Sequence, residues 1–123
     1  MRADIAFPIY LTRGSKEESD QVHFQLERFG RDYLLKVWGG DKHIGAVATA
    51  TRDWGEGYGL PQHRELDFSM RWAKNLANCL DGSVTLLSGI HYDEISKEAI
   101  ERILNHIDQL GKELIDLLSE VSR

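Results

Sequence analysis

VHFQLERFGRDYLLKVWGG, the stretch from Val22 to Gly40, decides the fold of this chain. Its first six residues alternate between apolar and polar side chains, which is typical of a strand with one buried face. Turn residues follow at Gly30–Asp32, and the alternation resumes from Tyr33 to Trp38. The stretch therefore predicts two successive strands that each bury one face.

A third strand is predicted at HIGAVATAT, His43–Thr51, after a turn at Gly39–Lys42. Four residues of this strand share one face, and three of them are alanine. Small side chains on a face indicate that something lies close against it, either a packed helix or a ligand. The four residues are Ile44, Ala46, Ala48 and Ala50.

The next part of the chain is predicted to hold a long loop, a helix and a further strand. The loop RDWGEGYGLPQHRE, Arg52–Glu65, is rich in glycine and aromatic residues, and loops of this length in small domains are commonly functional or mobile. Helical periodicity starts near Leu66 and ends at DGS, Asp81–Ser83. The mostly apolar VTLLSGIHY, Val84–Tyr92, predicts a strand at the centre of the sheet.

A long final helix is predicted to start after Ser96, a favourable N-cap residue. Apolar residues then recur in steps of three and four. The first half of this seam is expected to cover the sheet, and the second half to contact a second copy of the chain. The seam consists of Ile100, Ile103, Ile107, Leu110, Leu114, Leu117 and Val121.

The order of these elements predicts an α+β fold. We expect a mostly antiparallel sheet with two helices packed on it, in the order β-β-β-(β)-α-β-α. Residues 1–20 are expected to form an N-terminal extension or arm, because the polar run RGSKEESD separates them from the alternating strands. Residues 21–123 are expected to form a single domain with a long C-terminal helix.

Composition argues against several classes of function. The formal net charge of −5 argues against a general nucleic-acid binder, which needs a basic surplus to neutralise phosphates. The apolar run IAFPIYL, Ile5–Leu11, is too short for a signal-peptide core or a membrane span. The single cysteine, Cys79, is predicted to be a buried, inert thiol, and its isolation favours a reducing compartment, so a cytoplasmic location is expected.

Three short patterns carry the residues that a functional site would use. GGDKHIGAV is typical of a hairpin turn or of a backbone cradle for an anion. PQHRE places a histidine and an arginine at a helix start, where they are either solvated or able to hold a phosphate. GIHYD brings a histidine and an aspartate to the end of a strand, either as a site or as an ordinary turn. The candidate residues are Gly39, Gly40, Asp41, His43, Gly45, His63, Arg64, His91 and Asp93.

Three histidines offer an alternative metal site. His43, His63 and His91 lie at the ends of predicted elements, and three converging imidazoles can bind zinc. No two of them have the local spacing of a metal motif, so a bound metal is not expected. The spacing of the residues indicates no Ser-His-Asp triad and no Cys-His pair either.

GGDKHIGAVATA, PQHRE and SGIHYDEISKEAIERIL together resemble the LpdD-like family of prenylated-flavin chaperones, which is associated with gallate decarboxylase. The resemblance covers about Val22–Leu110. Gln62 stands where a glycine is usual in this family, and Arg64 where a lysine is usual. The segment DWGEGYGLPQ replaces a stretch that is a strand in relatives, so that strand is expected to be shortened or lost. The order of elements is also similar to that of the proteasome-assembly-chaperone fold, which works as a dimer.

The resemblance implies a non-catalytic protein that binds prenylated flavin mononucleotide, or flavin mononucleotide itself, and assists its delivery to a prenylated-flavin-dependent decarboxylase. It implies that Gly39–Asp41, His43 and Gly45 line the cofactor pocket and that His63 and Arg64 reach the phosphate. His91 and Asp93 would form another wall, and the alanines of the third strand would leave room for a flat ring. A homodimer is expected. The alternatives are a small metal-dependent enzyme and an assembly chaperone that binds protein surfaces alone.

Overall fold

The computed structural model describes residues 5–61 and 64–119, which form six strands and two helices. The strands are β1 Ile9–Arg13, β2 Val22–Phe29, β3 Asp32–Gly40, β4 Ala46–Ala50, β5 Gly55–Gly59 and β6 Val84–His91, and the helices are α1 Leu66–Cys79 and α2 Lys97–Ser119. Neither of these helices is long and apolar enough to cross a membrane.

The six strands form one sheet in the order β1-β2-β3-β6-β4-β5. Only the β3–β6 pair is parallel, and the other neighbouring pairs are antiparallel. The α+β prediction is therefore confirmed, with β6 central as expected. The parallel pair matters for the site, because it brings the carboxyl ends of β3 and β6 together.

Both helices pack on the same face of the sheet. The alternating residues predicted to be buried in β2 and β3 lie in a core shared with β4, β6 and the two helices. In α1 the most deeply buried large side chains are Phe68, Trp72 and Leu76. The opposite face of the sheet, which we call the outer face, carries no described helix.

The turn predicted at Gly39–Lys42 is not a hairpin. β6 lies between β3 and β4, so residues 41–45 cross the end of β6 to reach β4. Gly89 makes the crossing possible, because a Cβ there would overlap the carbonyl group of His43. The predicted third strand consequently starts at Ala46 rather than at His43, and Ile44, in the crossing, is 49% exposed.

The alanine face of β4 contacts a helix. Ala46, Ala48 and Ala50 are at most 1% exposed, and α1 packs against this strand. Of the two explanations offered by the sequence, the packed helix is the one observed. The small side chains let α1 approach the sheet closely.

A strand forms inside the segment predicted to be an irregular loop. β5, Gly55–Gly59, pairs with β4 at the edge of the sheet. Gly57 shows why its sequence did not look like a strand: a Cβ there would lie 2.7 Å from both the Met70 sulfur and the carbonyl oxygen of Val47. The close approach of α1 therefore requires glycine where strand propensity disfavours it.

The second half of α2 is buried within the chain. Leu110, Leu114 and Leu118 are at most 1% exposed, and α2 packs against β1 and β2. The prediction that this half of the seam extends beyond the sheet to meet a second copy is therefore wrong for Leu110 and Leu114. Leu117 is half-buried, and Val121 lies outside the described residues. The cause is β1, which widens the sheet beyond the strands counted from the sequence.

Cys79 ends α1 and is exposed, so the prediction of a buried thiol is wrong. The neighbouring helical positions Leu76 and Ala77 face the core instead. Partial burial still raises the pKa of the Cys79 thiol above its ordinary value. A raised pKa keeps the sulfur in its less reactive protonated form.

The segment before β2 is tied to α2 through a buried carboxylate. The side chain of Asp20 is 5% exposed and accepts hydrogen bonds from the Ser15 N–H at 2.9 Å and from Nε of Arg102 at 2.8 Å. Nε2 of His106 lies 3.3 Å from the same carboxylate. Burial alone raises the pKa of Asp20, but the hydrogen bonds from Ser15, Arg102 and His106 outweigh it and hold the pKa below its ordinary value.

We expect Asp20→Asn to lower the free energy of unfolding by about 2 kcal/mol at pH 7, because it removes the charge from these hydrogen bonds. The pKa of Asp20 is lower in the folded than in the unfolded chain, so this stabilisation is present above about pH 4 and is lost as the pH falls through the folded pKa. Urea denaturation at pH 7 and pH 3 measures both effects. Glu113→Gln, an exposed change on α2, is the control. A difference between Asp20→Asn and the original chain that is as large at pH 3 as at pH 7 would contradict the expectation.

Candidate functional site

The carboxyl ends of β3 and β6 bring distant parts of the sequence together. Gly40 is the register partner of His91, and the Asp41 N–H donates a hydrogen bond of 3.1 Å to the His91 carbonyl. The crossing loop then places His43 beside the end of β6. The patterns GGDKHIGAV and GIHYD therefore form one structural unit, which the sequence alone did not require.

Two imidazoles meet at this end of the sheet. The rings of His43 and His91 are perpendicular, with their centroids 6.1 Å apart. Nδ1 of His43 lies 3.1 Å from the Asp41 carbonyl oxygen, and Nε2 of His91 lies 3.1 Å from the carboxylate of Asp93. The side chains of the first and third candidate patterns, GGDKHIGAV and GIHYD, therefore lie close together in the fold.

Glu65 joins the imidazole of His43 to the start of α1, and sequence reasoning missed it. Its side chain is 9% exposed, and Oε2 lies 3.4 Å from Nε2 of His43, an ion-pair distance. The same oxygen accepts a hydrogen bond of 3.2 Å from the Ile90 N–H. An acidic residue at a helix start is expected from the helix dipole alone. The sequence therefore contained no signal that would distinguish a buried site carboxylate from an ordinary helix start.

Two serines fix the position of Glu65. The Ser69 hydroxyl donates a hydrogen bond of 2.6 Å to the Glu65 carbonyl oxygen and lies 2.7 Å from the Ser88 hydroxyl on β6. Both serines are at most 1% exposed. This buried contact locks the first turn of α1 against the central strand.

The three candidate glycines make room for protein atoms. A Cβ on Gly39 would lie 2.6 Å from the carbonyl oxygen of Gln21, and one on Gly45 would overlap the Glu65 carboxylate. Gly40 has a φ of +68° and packs against the His91 carbonyl. Each glycine therefore has an internal packing reason, and contacts to a ligand would come chiefly from the neighbouring side chains.

Two cavities border the imidazoles. The outer cup, on the outer face of the sheet, has a volume of about 340 Å³ and is lined by His43, Trp38, Lys42, Ile44 and Leu87, among others. The helix-side trough, between β6 and the two helices, has a volume of about 520 Å³. Its lining includes His91, Arg64, Tyr92, Ile95 and Ile100.

The second candidate pattern is described only in part. Arg64 is exposed and borders the helix-side trough, while His63 lies outside the described residues. Within residues 5–61 and 64–119, no group of three or more His, Cys, Asp or Glu side chains is arranged to hold a metal ion. The alternative site of His43, His63 and His91 therefore has two of its members placed and stays a prediction.

The family model for the prenylated flavin chaperone LpdD-like domain matches residues 16–119. The chain belongs to this family. Protein LpdD of Lactiplantibacillus plantarum is 33% identical over an alignment of 105 residues that covers 80% of this chain and 77% of that protein. All the candidate site residues of this LpdD-like chain lie inside the matched range.

The fold of the LpdD-like chain is shared with a solved structure of low sequence identity. A chain in the crystal structure of a novel chaperone complex for yeast 20S proteasome assembly superposes with a TM-score of 0.56 and 15% identity, covering 93% of this chain and 95% of that one. The proteasome-assembly-chaperone-like fold expected from the sequence is therefore confirmed. At this identity the similarity concerns the fold alone.

Proposed function

We propose that this LpdD-like chaperone binds prenylated flavin mononucleotide at the carboxyl ends of β3 and β6 and assists its delivery to a prenylated-flavin-dependent decarboxylase. Family membership supports a chaperone role linked to prenylated-flavin enzymes. The convergence of His43, His91 and Glu65 between two cavities is the observation that carries the location of the site.

The residues at this end of the sheet suit a flavin nucleotide. Cavities of about 340 and 520 Å³ fall within the range of roughly 300–1,000 Å³ that is usual for small-molecule sites. Arg64 and His91 supply donors for a phosphate at the mouth of the trough, and Ile95 and Ile100 offer an apolar wall to a prenylated ring system. The protein holds and shields the cofactor, and the chemistry is left to the decarboxylase.

We expect His43→Ala and His91→Ala each to weaken binding of reduced prenylated flavin mononucleotide about tenfold, because each removes a polar group from the junction of the two cavities. Anaerobic isothermal titration calorimetry measures the dissociation constants. His106→Ala is the matched control, since this imidazole contacts Asp20 and lines neither cavity. Circular dichroism verifies that the variants are folded.

Delivery needs a separate experiment, because binding alone does not show transfer. The loaded protein is mixed with the apo form of the decarboxylase, and recovery of decarboxylase activity is compared with recovery from free cofactor. Faster recovery from the loaded protein supports delivery. Affinity for the flavin without any gain in recovery would reduce the function to storage, and no affinity in the original chain would overturn the proposal.

We also propose that the protein acts as a homodimer through the β4–β5 part of the outer face of its sheet, beside the outer cup. Because the second half of α2 packs on β1 and β2 of its own chain, the support comes from two apolar residues on this face, Val47 and Tyr58, which are register partners on β4 and β5. Tyr58 is 58% exposed. A cytoplasmic location is proposed as well, and the single cysteine supports it.

The dimer proposal predicts that Val47→Glu together with Tyr58→Glu halves the mass measured by light scattering, because each protomer would bury two charges in the interface. Leu104→Glu is the control, since Leu104 is 48% exposed on α2, on the helix side. An original chain that is already monomeric, or a double variant that remains dimeric, would contradict the use of this face.

A further inference from the structure

Three aromatic rings form a stack on the outer face of the sheet. Tyr10, His23 and Trp38 come from the adjacent strands β1, β2 and β3. The Tyr10 and His23 rings are 5.8 Å apart at an angle of 26°, and the His23 and Trp38 rings are 4.9 Å apart at 14°. The hydroxyl group of Tyr10 is also hydrogen bonded to Nδ1 of His23. The stack is therefore rigid before any ligand arrives.

The stack of rings ends at Trp38, because the neighbouring position on β6 is a glycine and has no side chain. Gly89 is the register partner of Trp38 on β6. The crossing loop places the carbonyl group and the imidazole of His43 over Gly89, and its Lys42 places Nζ 4.8 Å from the centroid of the Trp38 ring. The resulting hollow is the outer cup, with Trp38 as its aromatic wall.

The charges around the outer cup favour an anion. Lys42 lies over the indole, and Lys36 lines the cup with its ammonium group 2.7 Å from Glu27. Burial lowers the pKa of His23, and the positive charges of Lys42 and Lys16 lower it further, which is the response expected in a positive field. Ile44 and Leu87 add apolar surface. A flat ring that carries negative charge satisfies all of these features at once.

We propose that the outer cup binds the isoalloxazine ring of a reduced, anionic flavin. Trp38 is the stacking wall, and the exposed side chain of Lys42 moves from its position over the indole to face the charge of the bound ring. This inference rests on the proposed flavin-binding function and assigns the ring to one of the two cavities. The alanine strand cannot hold the ring, because α1 covers it. His43 lines the same cup and connects it to His91 and the helix-side trough.

The test compares Trp38→Leu and Lys42→Met with the full original chain, using flavin mononucleotide reduced by dithionite as the probe in anaerobic calorimetry. We expect Trp38→Leu to weaken binding at least about tenfold, because ring stacking is lost. We expect Lys42→Met to weaken it about fivefold for the reduced flavin and less for the oxidised flavin, because only the reduced ring carries the charge.

Matched controls separate the cup from general effects of the substitutions. Trp54→Leu replaces a tryptophan that is 50% exposed between β4 and β5, and Lys112→Met replaces an exposed lysine on α2. Both controls should bind as the original chain does. Lys42 is an exposed loop residue, so its variant reports on the site even if Trp38→Leu fails to fold.

Two results would overturn the inference, and only the second would also overturn the proposed function. If the original chain binds reduced flavin and the Lys42→Met and folded Trp38→Leu variants bind it equally well, the ring lies outside the outer cup, and the proposed function survives. If the original chain binds neither reduced flavin mononucleotide nor its prenylated form, the proposed function fails, and the assignment of the ring fails with it.

Discussion

Replacing Gly40 with alanine is expected to lower the free energy of unfolding by about 3 kcal/mol, which combines two costs. Gly40 has a φ of +68°, a conformation that a residue with a side chain adopts only with strain. An added Cβ would also overlap the backbone carbonyl of His91 and lie 3.2 Å from the ring of Tyr92. Because the overlapped atom belongs to the central strand, relief requires β3 and β6 to separate where the site is formed.

Gly30 provides a matched control for this prediction. Its φ is +63°, almost that of Gly40, but an added Cβ would meet nothing within 4 Å. Gly30→Ala should therefore lose only the conformational cost, about 1 kcal/mol. Urea denaturation of both variants measures the difference. Equal losses would mean that β3 and β6 tolerate the extra atom and that their close approach is not required.

Replacing Gly111 with valine is expected to lower the free energy of unfolding by about 3 kcal/mol, because it overpacks the contact between the two helices. Gly111 is buried in α2, and a Cβ there would lie 2.5 Å from ring carbons of Trp72. Trp72 is 4% exposed, and its Nε1 donates a hydrogen bond of 3.3 Å to Asp108, so the ring has little freedom to move.

Alanine at position 111 tests the balance of two opposing effects. Removing a glycine from a helix interior stabilises it by about 1 kcal/mol, whereas the overlap with the Trp72 ring costs more. We therefore expect Gly111→Ala to be destabilising by about 1 kcal/mol in the original chain and stabilising in a Trp72→Leu background. A double-mutant cycle monitored by urea denaturation measures this coupling. The same sign in both backgrounds would contradict the role assigned to the ring.

Local pattern was enough to predict most of the elements but not their arrangement. The alternation in β2 and β3, the apolar run of β6 and the N-cap at Ser96 were all readable, and the Ser96 hydroxyl does accept a hydrogen bond from the Ala99 N–H at 3.1 Å. β5 was not readable as a strand, because three of its five residues are glycine. Its existence depends on pairing with β4, which is information held elsewhere in the chain.

The residues of the candidate site were likewise only partly predictable from the sequence. His43 and His91 were nominated from their positions at the ends of predicted elements, whereas Glu65, Trp38 and Lys42 were not. Glu65 looked like an ordinary acidic residue at a helix start, and Trp38 like an alternating strand residue. Only their tertiary neighbours, the imidazole of His43 and the side-chain-free Gly89, distinguish them.

Amphipathic period, turn residues and capping are set by neighbours within a few positions, so the α+β class and the buried faces of β2 and β3 followed from the amino-acid order alone. Pairing between strands is set by which surfaces bury each other, and that choice involves residues far apart in the chain. The insertion of β6 between β3 and β4, which turned an apparent hairpin into a crossing loop, belongs to this second kind. The meeting of His43 with His91 and Glu65 is its direct consequence, and the folded chain alone revealed it.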